Sequence, residues 1–313
     1  MRLDRGNPSK SIMNRARLAI TVIAAATLAI CEPRGVARAE VLDALDTSVT
    51  AWDKSYAQTF TWSGSKGAWT WAPTYGFSWS KSEDGDSSWA HRFKTTGGHR
   101  FPHFFEAALD LSYLVKPATE FSAFGPGLEL SRKFEVGSTK KRAIRVALRL
   151  AMMAYHQKTY DELLALYPKM PKAVNLLQNS LGLKGRASLT PWLSTTLGYQ
   201  HFFYNRSVRR LLDVMESPRA VRSGAARLGD QVGSFYSDLV EISAGLFLLD
   251  RWLLDFGFSV QRLASGDGWG QTWSVMPGFD LGFDWTLSLG FERTTEPAYQ
   301  QNSVLLSVSY HPF

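Results

Sequence analysis

Cysteine is almost missing from this chain of 313 residues, with Cys31 the only one. A single thiol can neither close an internal disulfide nor build a multi-cysteine metal site. Long apolar runs are missing as well. The stretch 18–30 is shorter than the roughly 20 residues a helical span needs, and no later window reaches that length. Helical membrane spans are therefore excluded. Catalytic motifs are equally scarce: there is no H-E-x-x-H, no G-x-S-x-G, no P-loop and no G-x-G-x-x-G. Their absence removes the zincin, α/β-hydrolase, P-loop and dinucleotide-binding classes, and no metal or other cofactor is expected.

What the N-terminus does hold is an ordered set of features. Arg2, Arg5, Lys10, Arg15 and Arg17 stand against Asp4, the apolar stretch 18–30 follows, and Val36-Ala37-Arg38-Ala39 supplies an A-x-A site before Glu40. That order predicts a cleaved secretory signal over residues 1–39. Met13 opens a more compact version of it. Leu28-Ala29-Ile30-Cys31 is a poor lipoprotein signal, because Ile30 stands where a small residue is wanted. Without residues 1–39 the chain keeps 28 basic against 26 acidic side chains, so the net charge falls from +7 to +2. The basic excess belongs to the export signal, and nucleic-acid binding is not expected. Cys31 leaves with the signal, which suits an oxidising periplasm.

In place of apolar runs there is alternation. Trp285, Leu287, Leu289 and Phe291 share one parity, and Thr286, Ser288 and Gly290 the other. The same rhythm runs through 240–248, 252–260, 273–281, 144–152 and 105–113. Period two puts each set on one face of a strand. Three features favour a barrel in lipid over a soluble sandwich. The segments are long, about ten to thirteen residues against a usual five to six. The second parity is small and polar. Aromatics, including eleven Trp in all, gather near strand ends: Trp252 and Trp285 after tight turns, Trp269, Trp273, Phe235 and Tyr236 beside longer loops.

The C-terminus then becomes specific. Val304, Leu306, Val308 and Tyr310 alternate toward a terminal Phe313, with His311-Pro312 shifting that Phe by one position. This end resembles the closing strand of Gram-negative outer-membrane β-barrel proteins, which the barrel-assembly machinery recognises. The resemblance implies an all-β transmembrane fold, an antiparallel up-and-down barrel in the outer membrane. Strands are expected near 67–81, 103–116, 126–136, 142–153, 185–200, 236–248, 252–262, 271–282, 285–293 and 302–311: about ten, with twelve the upper reading. Residues 40–56 read as an N-terminal periplasmic segment with a helical stripe (Leu42, Leu45, Val49, Trp52), and 57–313 as the barrel.

With the C-terminus in the periplasm, the short turns 249–251 and 283–284 fall inside, and the loops 82–102, 201–235, 263–270 and 294–301 outside. Residues 154–184 spoil the scheme by placing a long insert on the periplasmic side. They read as two short helices, opened by the capping box Thr159-Tyr160-Asp161-Glu162 and by Pro171. A third helical insert is expected over 207–227, with Ser207 as cap and Val208, Leu211, Leu212 and Met215 on one stripe. Pro73, Pro191 and Pro277 fall in proposed strands, where a closed barrel has no edge to absorb a missing N–H.

The inward parity carries Glu106, Asp110, Glu129, Lys133, Arg145, Arg149, Glu241, Asp255 and Asp280. These are the expected pore-lining residues of a narrow, porin-like passage for ions or small polar solutes. The plainer alternative is a salt-bridged interior that fills a small barrel, since eight strands leave room only for side chains. Arg206, Arg209, Arg210, Arg219 and Arg222 are candidates for lipopolysaccharide phosphates, because guanidinium suits phosphate. A solvated helical face explains them as well. Such a barrel, conducting or not, has outer-membrane lipid and lipopolysaccharide as its partners. The turn Glu83-Asp84-Gly85-Asp86 reads as an acidic surface turn. Outer-membrane lipases place His and Ser two apart, and no histidine here has Ser two residues on. Outer-membrane proteases of ten strands use Asp pairs and a His–Asp pair at the rim. His91, His99 and His103 with Asp84 and Asp86 are the sole hint of a rim-loop hydrolase, and loop polarity is the simpler reading.

Overall fold

The computed structural model describes residues 44–52, 55–81, 87–117, 121–136, 142–158, 164–165, 172–208, 235–248, 251–264, 266, 268–282, 284–297 and 299–311. They form fourteen strands: β1 (Ala44–Trp52), β2 (Ser55–Lys66), β3 (Trp69–Lys81), β4 (Ser87–Phe101), β5 (Phe105–Lys116), β6 (Phe121–Val136), β7 (Arg142–Lys158), β8 (Ala173–Thr190), β9 (Leu193–Tyr204), β10 (Tyr236–Leu248), β11 (Trp252–Leu263), β12 (Trp269–Gly282), β13 (Trp285–Glu296) and β14 (Tyr299–Tyr310). Each pairs antiparallel with its chain neighbours, and β1 pairs with β14 to close the barrel. Closure leaves no free edge, so every strand is hydrogen-bonded on both sides.

The up-and-down antiparallel barrel is as expected, but it has fourteen strands rather than ten to twelve. Four differences account for the gain. Residues 44–52, in the stretch with a helical stripe, are strand β1, with β-branched Thr47, Val49 and Thr50 in it. β2 has no counterpart among the expected strands. The expected loop 82–102 contains β4. The expected strand 185–200 is a turn flanked by β8 and β9, with Pro191 in the turn.

The extra strands also remove the misplaced insert. The strand ends that flank 67–68, 102–104, 137–141, 191–192, 249–251 and 283–284 are at the end of the barrel where β1 starts and β14 finishes. The strand ends that flank 159–172 and 205–235, Lys158, Ala173, Tyr204 and Tyr236, are all at the opposite, far end. Of the helical segment expected at 154–184, residues up to 158 belong to β7 and residues from 173 to β8, while helical backbone is described only at Leu164 and Ala165. The capping box at 159–162, most of the helix expected over 207–227, the acidic turn 83–86, the signal segment 1–39 and Phe313 lie outside the described residues.

Three prolines sit inside strands, at Pro73, Pro126 and Pro277, and each coincides with a gap in one ladder. Pairing of β2 with β3 skips from Thr61–Thr74 to Gly64–Trp71. That of β6 with β7 skips from Phe124–Ala154 to Gly127–Ala151, and that of β12 with β13 from Val275–Phe291 to Gly278–Ser288. The register resumes unshifted after each gap, so the missing N–H is absorbed locally.

On most strands one parity is apolar and uncovered, whereas on β1 the same parity, Leu45, Thr47 and Val49, is buried and on β4 it is mixed with His91, Thr95, Gly97 and His99. Leu109, Leu111, Val146, Leu148, Leu150, Leu181, Leu183, Leu197, Ile242 and Leu289 are all exposed, Leu109 at 64%. A greasy exterior on this scale needs an apolar solvent. Trp69, Phe101, Trp192, Trp252 and Trp285 stand toward the termini end of that band, and Trp79, Trp89, Phe203, Trp269 and Trp273 toward the far end.

At the far end the polarity reverses. Phe121, Tyr155, Leu176 and Leu114, on the inward parity, form a buried cluster with Val208 and Phe235, which flank the β9–β10 connection. Outward there are Ser122, His156, Lys158 and Asn175, with His156 and Asn175 hydrogen-bonded at 2.7 Å. β7 and β8 are 17 and 18 residues long, about 40 Å of height at a 45° tilt against about 30 Å of hydrocarbon. Their far ends therefore stand clear of the apolar band, where an inward hydrophobic face is the stable one. This is also why β8 reads as helix: Val174 and Leu176 face inward, while Leu181 and Leu183 face outward. Phe235, expected in the girdle from sequence, belongs instead to this interior cluster at 7% exposure.

Candidate functional site: the charged interior wall

All nine residues expected to face inward share the polar parity in the observed register. Glu106 and Asp110 lie on β5, Glu129 and Lys133 on β6, and Arg145 and Arg149 on β7. Glu241 is on β10, Asp255 on β11 and Asp280 on β12. Six of them are brought together on three neighbouring strands. Arg145 bonds Glu106 two strands away, and its Nε and Nη2 also donate to Ser131 Oγ at 3.1 and 2.9 Å. Arg149 Nη2 reaches Asp110 at 3.1 Å, and Lys94 Nζ approaches the same carboxylate at 3.9 Å. Lys133 lies 3.7 Å from Glu135 on its own strand. Bridges that skip a strand need a concave face, where side chains converge.

The remaining three are separate. Asp255 lies across Gly245 toward Ser194, for a Cβ at Gly245 would stand 2.8 Å from Asp255 Oδ1 and 3.1 Å from Ser194 Oγ. Glu241 faces Gly198. Asp280 accepts the Gly282 N–H at 2.8 Å, which caps the β12–β13 turn.

Sequence reading misses several members of this wall. Arg92, Lys94 and Arg100 are on β4, where the sequence suggests a loop, and Lys184 and Arg186 on β8, whose first half has a helical pattern. With them the interior divides by charge. The inward parity of β4–β8 carries Arg92, Lys94, Arg100, Lys116, Lys133, Arg145, Arg149, Lys184 and Arg186 against Glu106, Asp110, Glu129 and Glu135. Around the rest of the barrel the same parity carries Asp46, Glu241, Asp255, Asp280, Glu292 and Glu296, with no cation among the described residues. A basic arc thus faces an acidic one. The signal is present in 88–101, where Arg92, Lys94 and Arg100 share one parity and Trp89, Phe93 and Phe101 the other.

The histidines do not assemble. His91 and His99 are on the outer face of β4, about 26 Å apart along the strand, and His103 is in the Pro102–Phe104 turn. His91 hydrogen-bonds Tyr75 at 2.8 Å, and His99 packs edge-on between Trp69 and Phe101, each 4.5 Å away. They behave as part of the aromatic exterior, and the rim loop expected to hold them is a strand. Arg206 is exposed just past β9, and Arg209, Arg210, Arg219 and Arg222 lie outside the described residues.

No protein-family model matches this chain, and no curated protein matches it. Solved structures do. A monoaromatic hydrocarbon channel, CymD, aligns over 88% of this chain and 89% of its own at 8% identity and a TM-score of 0.51. A FadL homologue of Pseudomonas aeruginosa aligns over 87% and 90% at 9% identity and 0.49, and the KdgM porin over 86% and 99% at 11% identity and 0.42. What the chain shares with the first of these is the fold, a closed barrel of antiparallel strands.

Proposed function

We propose that this chain is an integral outer-membrane channel, exported through a cleaved signal over residues 1–39, that passes ions or small polar solutes. The carrying observation is the pairing of a greasy exterior with an interior split into basic and acidic arcs. Fourteen strands lie much closer to the sixteen that hold an aqueous channel than to the eight that side chains fill. Facing arcs of opposite charge keep the wall hydrated and leave a field across the passage. On this reading Glu106, Asp110, Glu129, Lys133, Arg145, Arg149, Glu241, Asp255 and Asp280 line the pore, joined by Lys94, Arg100, Lys184 and Arg186. The membrane partners are outer-membrane lipid and lipopolysaccharide, with Arg206, Arg209, Arg210, Arg219 and Arg222 as phosphate contacts, and the barrel-assembly machinery inserts the chain.

A second reading, a non-conducting barrel, draws on the interior cluster of Phe121, Tyr155, Leu176, Val208 and Phe235, which is buried at the far end. Planar-bilayer recording separates the two. A channel gives discrete current steps, and Arg145→Glu with Arg149→Glu moves its reversal potential in a salt gradient toward cations. A purified, folded barrel without current steps is the non-conducting one.

A further inference from the structure

Toward the termini end, the interior wall holds a cavity of about 620 Å³. Its charged lining is Arg100, Lys133, Arg145 and Arg186, with Glu106 as the single carboxylate. The register makes this more than a basic patch. Lys133 of β6 stands directly opposite Arg145 of β7, which stands directly opposite Arg186 of β8. Like charges in opposed positions on neighbouring strands destabilise a sheet, and here three stand in one row. The wall relieves only part of that repulsion. Glu106 and Ser131 engage Arg145, and Lys133 has its neighbour Glu135. Arg100 and Arg186 make no side-chain hydrogen bond or ion pair among the described residues.

The cavity also has an apolar element. Phe104 lines it, with the Lys133 ammonium 6.0 Å from the centre of its ring, while Phe101 and Phe105, which border it as well, are on the outward parity of β4 and β5. His103 and Phe104 both have left-handed backbone, at φ 62° and 59°. That conformation is unfavourable for side chains with a Cβ and persists only where the surroundings enforce it. Phe104 lines the cavity in that conformation.

We infer that this cavity binds small organic carboxylates, the charged head on the Arg100–Arg186 side and the apolar body against the Phe104 ring. Guanidinium forks match a carboxylate bidentately, and an incoming anion supplies the charge that the row of cations lacks. The acidic arc opposite repels the same anion, so the solute is held to the β4–β8 wall. Inorganic phosphate shares the oxyanion chemistry but has nothing to set against the Phe104 ring. The solute class rests on the channel reading, whereas the binding itself needs no current.

Calorimetric titration of the folded mature barrel in detergent tests it, with benzoate, inorganic phosphate and benzyl alcohol as probes. Benzoate is expected to bind, phosphate at least ten-fold more weakly, and neutral benzyl alcohol not at all. Arg100→Gln with Arg186→Gln lowers benzoate affinity at least ten-fold while the barrel keeps its heat-modifiable gel mobility and melts no lower, since repulsion in the row is relieved. Arg186→Lys, which keeps the charge and removes the fork, weakens binding a few-fold and serves if the double variant fails to fold. No benzoate binding to the wild-type barrel, or equal binding by either variant, overturns the site. Phosphate binding as tight as benzoate overturns the carboxylate class. A barrel that binds benzoate but shows no current keeps the site and loses the channel.

Discussion

Arg149 on β7 reaches over β6 to Asp110 on β5, closing at 3.1 Å across a place where β6 has no side chain. That place is Gly127, where a Cβ would collide with the Asp110 carboxylate. The small residues of the polar parity are therefore not empty space in the wall. They are beds on which a neighbour's side chain lies flat to meet a third strand.

Gly127→Ala is expected to push the Asp110 carboxylate off its bed and break the bond to Arg149. The cost is about 1–3 kcal/mol, the usual range for overpacking, and Asp110→Ala gives a similar loss by stranding Arg149 and Lys94. Both arginine and lysine are more than a third exposed, so screening holds the second figure toward the lower bound. Urea titration of the barrel in lipid vesicles measures both, and a Gly127→Ala barrel as stable as the parent would refute the arrangement.

Leu109 and Ser112 are on the same strand and opposite faces. An arginine in place of Leu109 should cost about 2–4 kcal/mol in a bilayer, the usual midplane penalty on a lipid face. An arginine in place of Ser112 faces the interior and costs far less. Folding yields into vesicles compare the two. Equal tolerance at both positions would mean that the exterior does not meet lipid.

Phe235 packs on Tyr155 with ring centres 5.1 Å apart and on Tyr204 at 6.3 Å. It ties one end of the long β9–β10 connection to the inner wall. Phe235→Ala should raise single-channel conductance and lower stability by roughly 1–3 kcal/mol, less than the 3–5 kcal/mol of a deep core site because the connection can relax. Unchanged conductance would show that this cluster does not constrict the passage.

β1 and β14 close the barrel with Ser48 opposite Ser307. Cysteines at both positions, in a mature chain that otherwise has none, should crosslink on mild oxidation. The product would keep its compact gel mobility after boiling unless reductant is added. Crosslinking that fails while each single variant labels freely would place residues 44–52 elsewhere.

How much of this can be read from the residues depends on which face carries the signal. β13 and β14 are legible because Leu287, Leu289, Leu306 and Val308 put large apolar groups on the lipid side, with small residues such as Ser288, Gly290 and Ser307 on the other. β4 is not, because its outer face mixes His91, Thr95, Gly97 and His99 with Trp89 and Phe93. Histidine reads as polar in a sequence and as an aromatic ring beside Trp69. β8 misleads because it crosses out of the apolar band, and its parity changes sign on the way. β1 offers Leu45 and Val49 at a spacing that suits either a helix or a strand, and pairing with β14 settles it.

Alternation was enough to point to strands with one greasy and one polar face, because in-out parity is a property of each strand alone, and strand length with the resemblance of the last strand pointed from there to a barrel. Strand number, the shared end at which β7, β8, β9 and β10 meet the segments 159–172 and 205–235, and the row Lys133–Arg145–Arg186 came only from the closed sheet. Those features depend on which residues stand opposite one another across strands, and hydrogen-bond register between segments far apart in the chain is set by closure, not by any stretch of sequence.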